Sequence, residues 1–431
     1  MIKILLSLYF GGNLNDMLSK KLKLGVSAEE IQNRVIDSLT NGTKVASYDI
    51  KKILHKGFNN NKKSELIDII DLVSECIVLK YYSIEEFEEK YQKYIDYVKK
   101  YDNTKLSTRE FKKIEFICIS NGLFELSLQF RILCEKEYLN IFYRFKRIKI
   151  DDLLGVFWSL VHRGQMEELT KFIEQKKSLI FKKSDMKILY SVMKGEKEKA
   201  HSIAKKDYNE NDKMFEKLIC GKNIAILGPA AGDIDIDSIR DEFDILISLT
   251  YRGKKYLSGN VQSYNIDVSY YNCEAGNRIQ KINYEEFLYE LKFSVFKSIE
   301  YDYQKKLYQQ KKCRKLFSLD NLVFEGQPNM LQIVLYDLLH FCPRRIKLFN
   351  FNLFLAKNAY QKGYKIEGTT HEGNFKLWKS YAIHNIITQY NFSKKLFDSG
   401  LIEADEDGEN VLSLGISEYL QQMEKIQSIN L

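Results

Sequence analysis

An apolar run near the middle of the chain, Asn223-Ile-Ala-Ile-Leu-Gly228, leads into Pro229, Ala230, Ala231 and Gly232, and then into Asp233-Ile-Asp235-Ile-Asp237. Two kinds of chemistry suit this pattern. Small residues let the backbone approach a phosphate, and exposed amides attract the anion. Carboxylates at alternate positions share one edge of an extended segment and suit Mg²⁺ or Mn²⁺, which take oxygen ligands. A plainer reading also stands: a tight turn, then a helix cap, because Asp237-Ser238 precede the helix-like stretch IRDEF. The loop is neither GxGxxG nor GxxxxGK[ST]. Taken alone it leaves a ligand loop and an ordinary turn equally open. The aspartates stay open between a metal, a contact to donor or acceptor, and a loop or cap role; the reading adopted assigns no metal site.

Histidine is the side chain best suited to move a proton near neutral pH. His371, in THEGNFKLW, sits with Glu372 in a Gly-flanked polar loop before an amphipathic helix. It is a candidate for the site. His340 lies on the apolar stretch 329–341 and reads as a packing residue. His55 and His201 read as helix-surface residues, and His162 and Trp158 read as packing residues of the helical part rather than site residues.

These residues need a frame. Strand-like runs begin at about residue 220: NIAILG (223–228), FDILISL (243–249), VQSYNIDVSYY (261–271), NLVFEG (321–326) and RIKLFNF (345–351). Helical patterns lie between them at 284–298, 329–341 and 375–398. That alternation predicts an α/β layer with a mostly parallel sheet. The first 220 residues contain no proline and read as helix after helix. Ser27 to Glu30, Ser83 to Glu86 and Ser107 to Glu110 each match the capping-box pattern. In SIEEFEEKYQKYIDYVKK, Ile84, Phe87, Tyr91, Tyr94 and Ile95 share one helical face. Helix pairs recur at 107–120 with 122–136, 152–163 with 165–177, and 185–194 with 196–206. Their period is irregular, so a helical repeat competes with an irregular helical domain. The expected division is a helical domain over 1–212 and an α/β domain over 213–431.

Composition narrows the classes. With 431 residues, two or three domains are expected, and an apolar fraction of 45% provides a sizeable core. The net charge of +8 is modest for this length, and neither a recognised module nor a dense arginine cluster marks nucleic-acid binding. Seven scattered cysteines, an odd number without a CxxC, point to a reducing cytoplasm rather than a disulfide framework or a zinc site. The opening MIKILLSLYFGGNLNDML is too short to span a bilayer, and no small-x-small cleavage site follows it. A soluble or peripheral protein is expected. The stretch YQKKLYQQKKCRKLF (303–317) is basic and aromatic. It reads as an exposed helix, or as a face for an anionic glycan or the inner membrane surface.

The longer context of the first loop adds a resemblance. CGKNIAILGPAAG…DEFDILISLTY is similar to the large motif of sialyltransferases and their bacterial relatives, including transferases of Kdo. EGQPNMLQIVLYDLLHFCPRRIKLFNFNLF looks like that family's small motif. His384-Asn-Ile-Ile-Thr-Gln389 resembles its short His-x4-Glu motif. The resemblance covers about residues 220–431. It implies a Rossmann-like domain, a CMP-activated acidic sugar as donor, no required cofactor or metal, and His384 as general base. It implies nucleotide contacts from Gly228 to Gly232, from Thr250, and from Gln327, Pro328 and Asn329, with His371 beside them. If transfer retains configuration, Asp233 or Asp235 becomes the candidate nucleophile.

The departures are definite. Pro229, Ala230 and Ala231 stand where the family carries Asn or Ser. Ser248 and Thr250 replace the two named positions of Arg-x-Asn. Asn350 or Asn352 replaces the closing Gly, and Gln389 replaces the acidic residue. The expected protein is therefore a glycosyltransferase of the cytoplasm or the inner membrane face, acting on a surface glycan or glycolipid. Two rivals remain: another Rossmann-like nucleotide enzyme of the flagellin-modifying or pterin pyrophosphokinase-like kind, and a non-enzymatic helical-repeat interaction protein.

Overall fold

The computed structural model describes residues 30–35, 37–38, 41, 46–58, 64–101, 106–144, 150–175, 184–230, 236–251, 253, 265–282, 286–356 and 371–427. Seven short strands form one sheet: β1 (Asn223–Leu227), β2 (Ile245–Leu249), β3 (Val268–Tyr271), β4 (Phe293–Phe296), β5 (Cys313–Lys315), β6 (Arg345–Phe349) and β7 (Glu403–Ala404). Their order is β5-β4-β3-β2-β1-β6-β7, and every pair is parallel. The register sets Ile224 opposite Ile245 on one side of β1 and opposite Ile346 on the other.

The strand sequences explain the sheet. Every residue of β2, β3 and β4 is buried. A parallel sheet is covered on both faces, so its strands read as unbroken apolar runs. Ala225, Leu227, Leu246, Tyr271, Phe296 and Cys313 pack on one face with Ile239, Phe243, Ile279, Phe287 and Leu307. Alternation along the strands sends their neighbours Ile224, Ile226, Tyr270 and Arg314 to the other face. Each large apolar side chain so buried contributes about 1.5–3 kcal/mol.

The chain falls into two compact units: residues 1–140, 369–383 and 427–431, and residues 141–368 with 384–426. The described elements of the first unit are helices, among them Ser64–Tyr82, Ile84–Lys99, Thr108–Ser120 and most of Phe124–Arg144. The helices Ile150–His162, Met166–Gln175, Ser184–Met193 and Lys197–Ala204 belong with the sheet, so the units part at 140 and 141 rather than at 212 and 213. The sheet therefore lies in an α/β unit that already includes two of the expected helix pairs.

Several local expectations need correction. The capping box at Ser107 forms, with Glu110 donating its amide to Ser107 Oγ and accepting from Ser107 N–H. Ser83 makes no side-chain cap, and residues 27–29 of the first box lie outside the described residues. Ile84 is 44% exposed, so the buried stripe of its helix is Tyr91, Ile95 and Val98. The stretch 284–298 is not one helix. A 3₁₀ turn, Glu286–Tyr289, leads into β4. Residues 321–326 form no strand, because Asn321 and Gly326 take left-handed φ values of 65° and 83° and break any extended run. Strand β3 starts at Val268; residues 261–264 of the expected run lie outside the described residues. The basic stretch 303–317 is a short helix, Asp302–Gln309, then β5, and its Arg314 is buried rather than solvated.

Candidate functional site

Strand order identifies the edge that matters. From β1 the chain steps outward through β2, β3, β4 and β5, then returns to β6 on the other side of β1. Open α/β sheets bind ligands outside the carboxyl ends of their strands, at this kind of reversal. Between parallel strands, each crossover helix runs back against the strand direction. The helix Met330–Leu339, before β6, and the helix Ile386–Asp398, before β7, therefore begin on the carboxyl-end side.

The first loop is built tightly against β6. Gly228 N–H donates to the Phe349 carbonyl at 2.7 Å, and Ala230 N–H donates to the Asn350 carbonyl at 3.2 Å. A methyl group at Gly228 would fall inside the Asn350 carbonyl, so glycine is required here by the close approach of two backbones. Both amides are spent within the sheet's edge, and Pro229 has none to offer. Any phosphate contact by this loop falls to residues further along. Ala231, Gly232, Asp233 and Asp235 lie outside the described residues; Asp237 is exposed.

Backbone strain concentrates along the same edge. Thr250, directly after β2, has φ 60°, and Asn350, directly after β6, has φ 58°; Leu353 and Phe354 follow with positive φ. A β-branched residue in this region is a genuine outlier, and such strain gathers at functional sites. Thr250 is held there by its N–H donating to the Tyr270 carbonyl at 2.9 Å. Asn350 N–H donates to Asp405 Oδ2 at 2.6 Å, while Asp405 Oδ1 caps the next helix at Gly408 N–H.

The residues of the second and third motifs meet. His384 Nδ1–H donates to the Gln327 carbonyl at 3.0 Å. A carbonyl only accepts, so Nδ1 carries a proton, and in the neutral ring the lone pair lies on Nε2. Gln389, 3% exposed, ties the same loop down. Its Nε2 donates to the carbonyls of Gln327 at 3.3 Å and His384 at 2.6 Å, and its Oε1 accepts from Asn329 N–H at 2.9 Å. Asn329 caps the helix Met330–Leu339, and Asn385, at φ 50°, caps Ile386–Asp398. Gly326 permits the approach, because a Cβ there would meet Asn385 Cβ at 2.7 Å. Gln327, Pro328, Asn329, His384 and Gln389 thus form one half-buried cluster on the carboxyl-end side. Gln389 is a finding of the structure. The spacing singles it out only as a departure, but beside accepting from Asn329 N–H its amide makes two donations that a carboxylate cannot.

Other motif residues lie elsewhere. Asp244 accepts from Asn223 N–H at 2.8 Å, at the amino end of β1; that bond holds its carboxyl below the usual range. His371 starts the helix His371–His384, and its side chain lies outside the described residues. Trp158 Nε1–H donates to the Leu322 carbonyl at 2.6 Å and packs beside His162, which fits their expected structural part. Among the described residues no group of three or more His, Cys, Asp or Glu side chains is placed to hold a metal ion, a count that leaves out Asp233 and Asp235. Among the same residues no helix is long and apolar enough to cross a membrane.

The largest polar feature that sequence reasoning missed is buried. Arg314 is fully enclosed; its Nε donates to Asp212 Oδ1 at 2.7 Å, and its Nη1 to Asp337 Oδ2 at 2.8 Å. Tyr270 O–H and Phe317 N–H also donate to Asp337. The guanidinium lies 4.6 Å from the Phe317 ring centre and 4.7 Å from that of Phe341. The three charged side chains are buried together, and Arg314 Nη2 has no hydrogen-bond partner among the described residues.

No family model, no curated protein and no solved structure matches the chain.

Proposed function

We propose that the chain is a CMP-sugar-dependent glycosyltransferase that moves an acidic sugar, of the sialic acid or Kdo type, to a surface-glycan acceptor. The observation that supports this reading is the hydrogen-bonded cluster of His384, Gln327 and Gln389 beside Pro328 and Asn329, on the carboxyl-end side of a parallel sheet. Those are residues of two motifs whose resemblance points to the same chemistry. His384 Nε2 takes the proton of the acceptor hydroxyl. The acceptor oxygen bonds to the anomeric carbon, and the bond from that carbon to the CMP phosphate oxygen breaks. CMP departs as an anion, and the starts of the two helices beside the cluster carry the partial positive charge that favours it. Because Gly228 and Ala230 spend their amides on β6, the first loop serves mainly to shape the edge, and contacts to CMP come from residues beyond them. The helical first unit serves acceptor or partner contact. The protein works in the cytoplasm, at or near the inner face of the membrane, without a cofactor and without nucleic acid.

CMP should raise the melting temperature of the purified chain, while UMP, GDP and NAD leave it unchanged. No shift with any cytidine nucleotide would overturn this reading. His384→Ala should keep the CMP shift and lose about 10²–10⁴-fold in transfer rate, the usual worth of a general base. Activity within a few-fold of the native chain would remove His384 from that role.

A further inference from the structure

The amino ends of β1 and β6 carry a cysteine each. Cys220 ends the helix Glu210–Ile219 and is exposed; Cys342 lies just before β6 and is partly exposed. The strand register begins with Asn223 opposite Arg345, and Cys220 and Cys342 each stand three residues before it. The backbones stay bonded over that distance. Gly221 N–H donates to the Cys342 carbonyl at 3.1 Å, and Arg344 N–H donates to the Lys222 carbonyl at 2.9 Å. Neighbouring strands lie about 4.7–4.9 Å apart, and a disulfide requires Cα atoms about 4.4–6.8 Å apart. Cys342 is held at φ 50°, a left-handed conformation that a residue with a Cβ seldom adopts. Of the other cysteines, Cys76, Cys118, Cys134 and Cys313 are buried, and Cys273 is exposed beside Ser298 Oγ.

We infer that Cys220 and Cys342 are a reversible thiol–disulfide pair, closed by a small-molecule disulfide such as oxidised glutathione. Cys220, the more exposed thiol, attacks first as its thiolate. Its sulfur bonds to one glutathione sulfur, the glutathione S–S bond breaks, and one glutathione thiolate leaves. Cys342, deprotonated in turn, attacks the Cys220 sulfur and expels the second glutathione thiolate. The protein gives up two protons and two electrons, and one glutathione disulfide becomes two thiols. Burial and the nearby Glu198 carboxylate push the Cys342 thiol above its ordinary range, which fits its place as the second, intramolecular attacker. The bond would clamp β1 to β6 at the edge opposite His384. This inference does not rest on the transferase reading.

The test treats the folded full-length chain with oxidised glutathione, blocks the remaining thiols, and maps cysteine peptides by mass spectrometry. A Cys220–Cys342 cross-linked peptide should exceed every other cysteine pair by about tenfold and vanish on treatment with dithiothreitol. The melting temperature should rise by several degrees on oxidation, because closing a long loop restricts the unfolded chain. Cys342→Ser should leave a stable glutathione on Cys220, and Cys220→Ser should leave Cys342 largely reduced. A native chain that stops at glutathionylated Cys220, or links Cys220 to Cys273 or to a second chain instead, would overturn the pairing.

Discussion

His340 and His384 use the same hydrogen bond for opposite ends. His340 Nδ1–H donates to the Tyr336 carbonyl at 2.7 Å, and His384 Nδ1–H to that of Gln327 at 3.0 Å. In its neutral form each ring therefore keeps the lone pair on Nε2. Their surroundings part them. His340 is 1% exposed and stacks on Phe317 with ring centres 4.4 Å apart; burial pushes its pKa down to about 3. His384 sits half-buried at the end of its helix, and its partner comes from a loop far away in sequence. A carbonyl on Nδ1 orients a histidine; access to water and substrate decides whether that orientation is used for chemistry. The same contrast holds for their neighbourhoods. Arg314, Asp212 and Asp337 form a buried ionic cluster close to His340, whereas Gln389 and Asn329 anchor the half-buried edge beside His384. Damage on the first side should appear as lost stability, and damage on the second as lost binding or rate.

Arg314→Leu is the largest break of the buried side. It leaves the carboxylates of Asp212 and Asp337 enclosed without their cation. Removing one partner of a buried pair costs about 3–5 kcal/mol. Urea unfolding should show that loss, or the variant should fail to accumulate as folded protein. A loss below about 1 kcal/mol would mean that the cluster is not what holds the helices Glu210–Ile219 and Met330–Leu339 to the sheet.

How much of this is legible in the sequence follows from the same contrast. Strands β1 and β2 announce themselves because NIAIL and ILISL are almost wholly apolar runs bounded by turns, and β6 because RIKLF alternates charged and apolar residues. The helix Met330–Leu339 is equally plain. Strand β4 is not, because FSVF is buried on both faces and a short apolar run has no period to tell strand from helix. Strand β5 is three residues long and lies among lysines, so Arg314 looks solvated until Asp212 and Asp337, each distant in sequence, arrive to enclose it. Strand β7 has only two residues. At the edge, His384, Gln327, Pro328 and Asn329 can be named from motif order, but their bonds cannot, since those depend on how two crossovers return to one side of the sheet. Gly228 shows the converse: the glycine is legible, and its reason is the Asn350 carbonyl rather than a phosphate.

Gln389→Glu probes the edge with a smaller change. The carboxylate still accepts from Asn329 N–H but has nothing to donate to the carbonyls of Gln327 and His384. Leaving such buried groups unmade costs about 1–3 kcal/mol. Amide exchange at residues 326–330 and 385–389 should quicken, with the sheet amides barely changed. The deficit should shrink at low pH, because the introduced carboxyl regains one donor when protonated and burial favours its neutral form. Uniform quickening across β1, β2 and β3 would instead make Gln389 part of the fold's main support, and the contrast between edge and core would fail.

The finest test returns to His340. Its pKa drops from an ordinary value of 6.5 to about 3 on folding. Well above that ordinary value the ring is neutral in both states and stability does not depend on it. Between the two values the unfolded chain binds a proton that the folded chain refuses, so stability falls as pH falls, by about 1.4 kcal/mol per unit. His340→Phe preserves an aromatic ring against Phe317 and removes the titration. Unfolding measured at about pH 6 and pH 5 should therefore show a shallower pH slope in the variant, by about that amount, whatever its absolute stability. An unchanged slope would show that His340 can be protonated inside the fold.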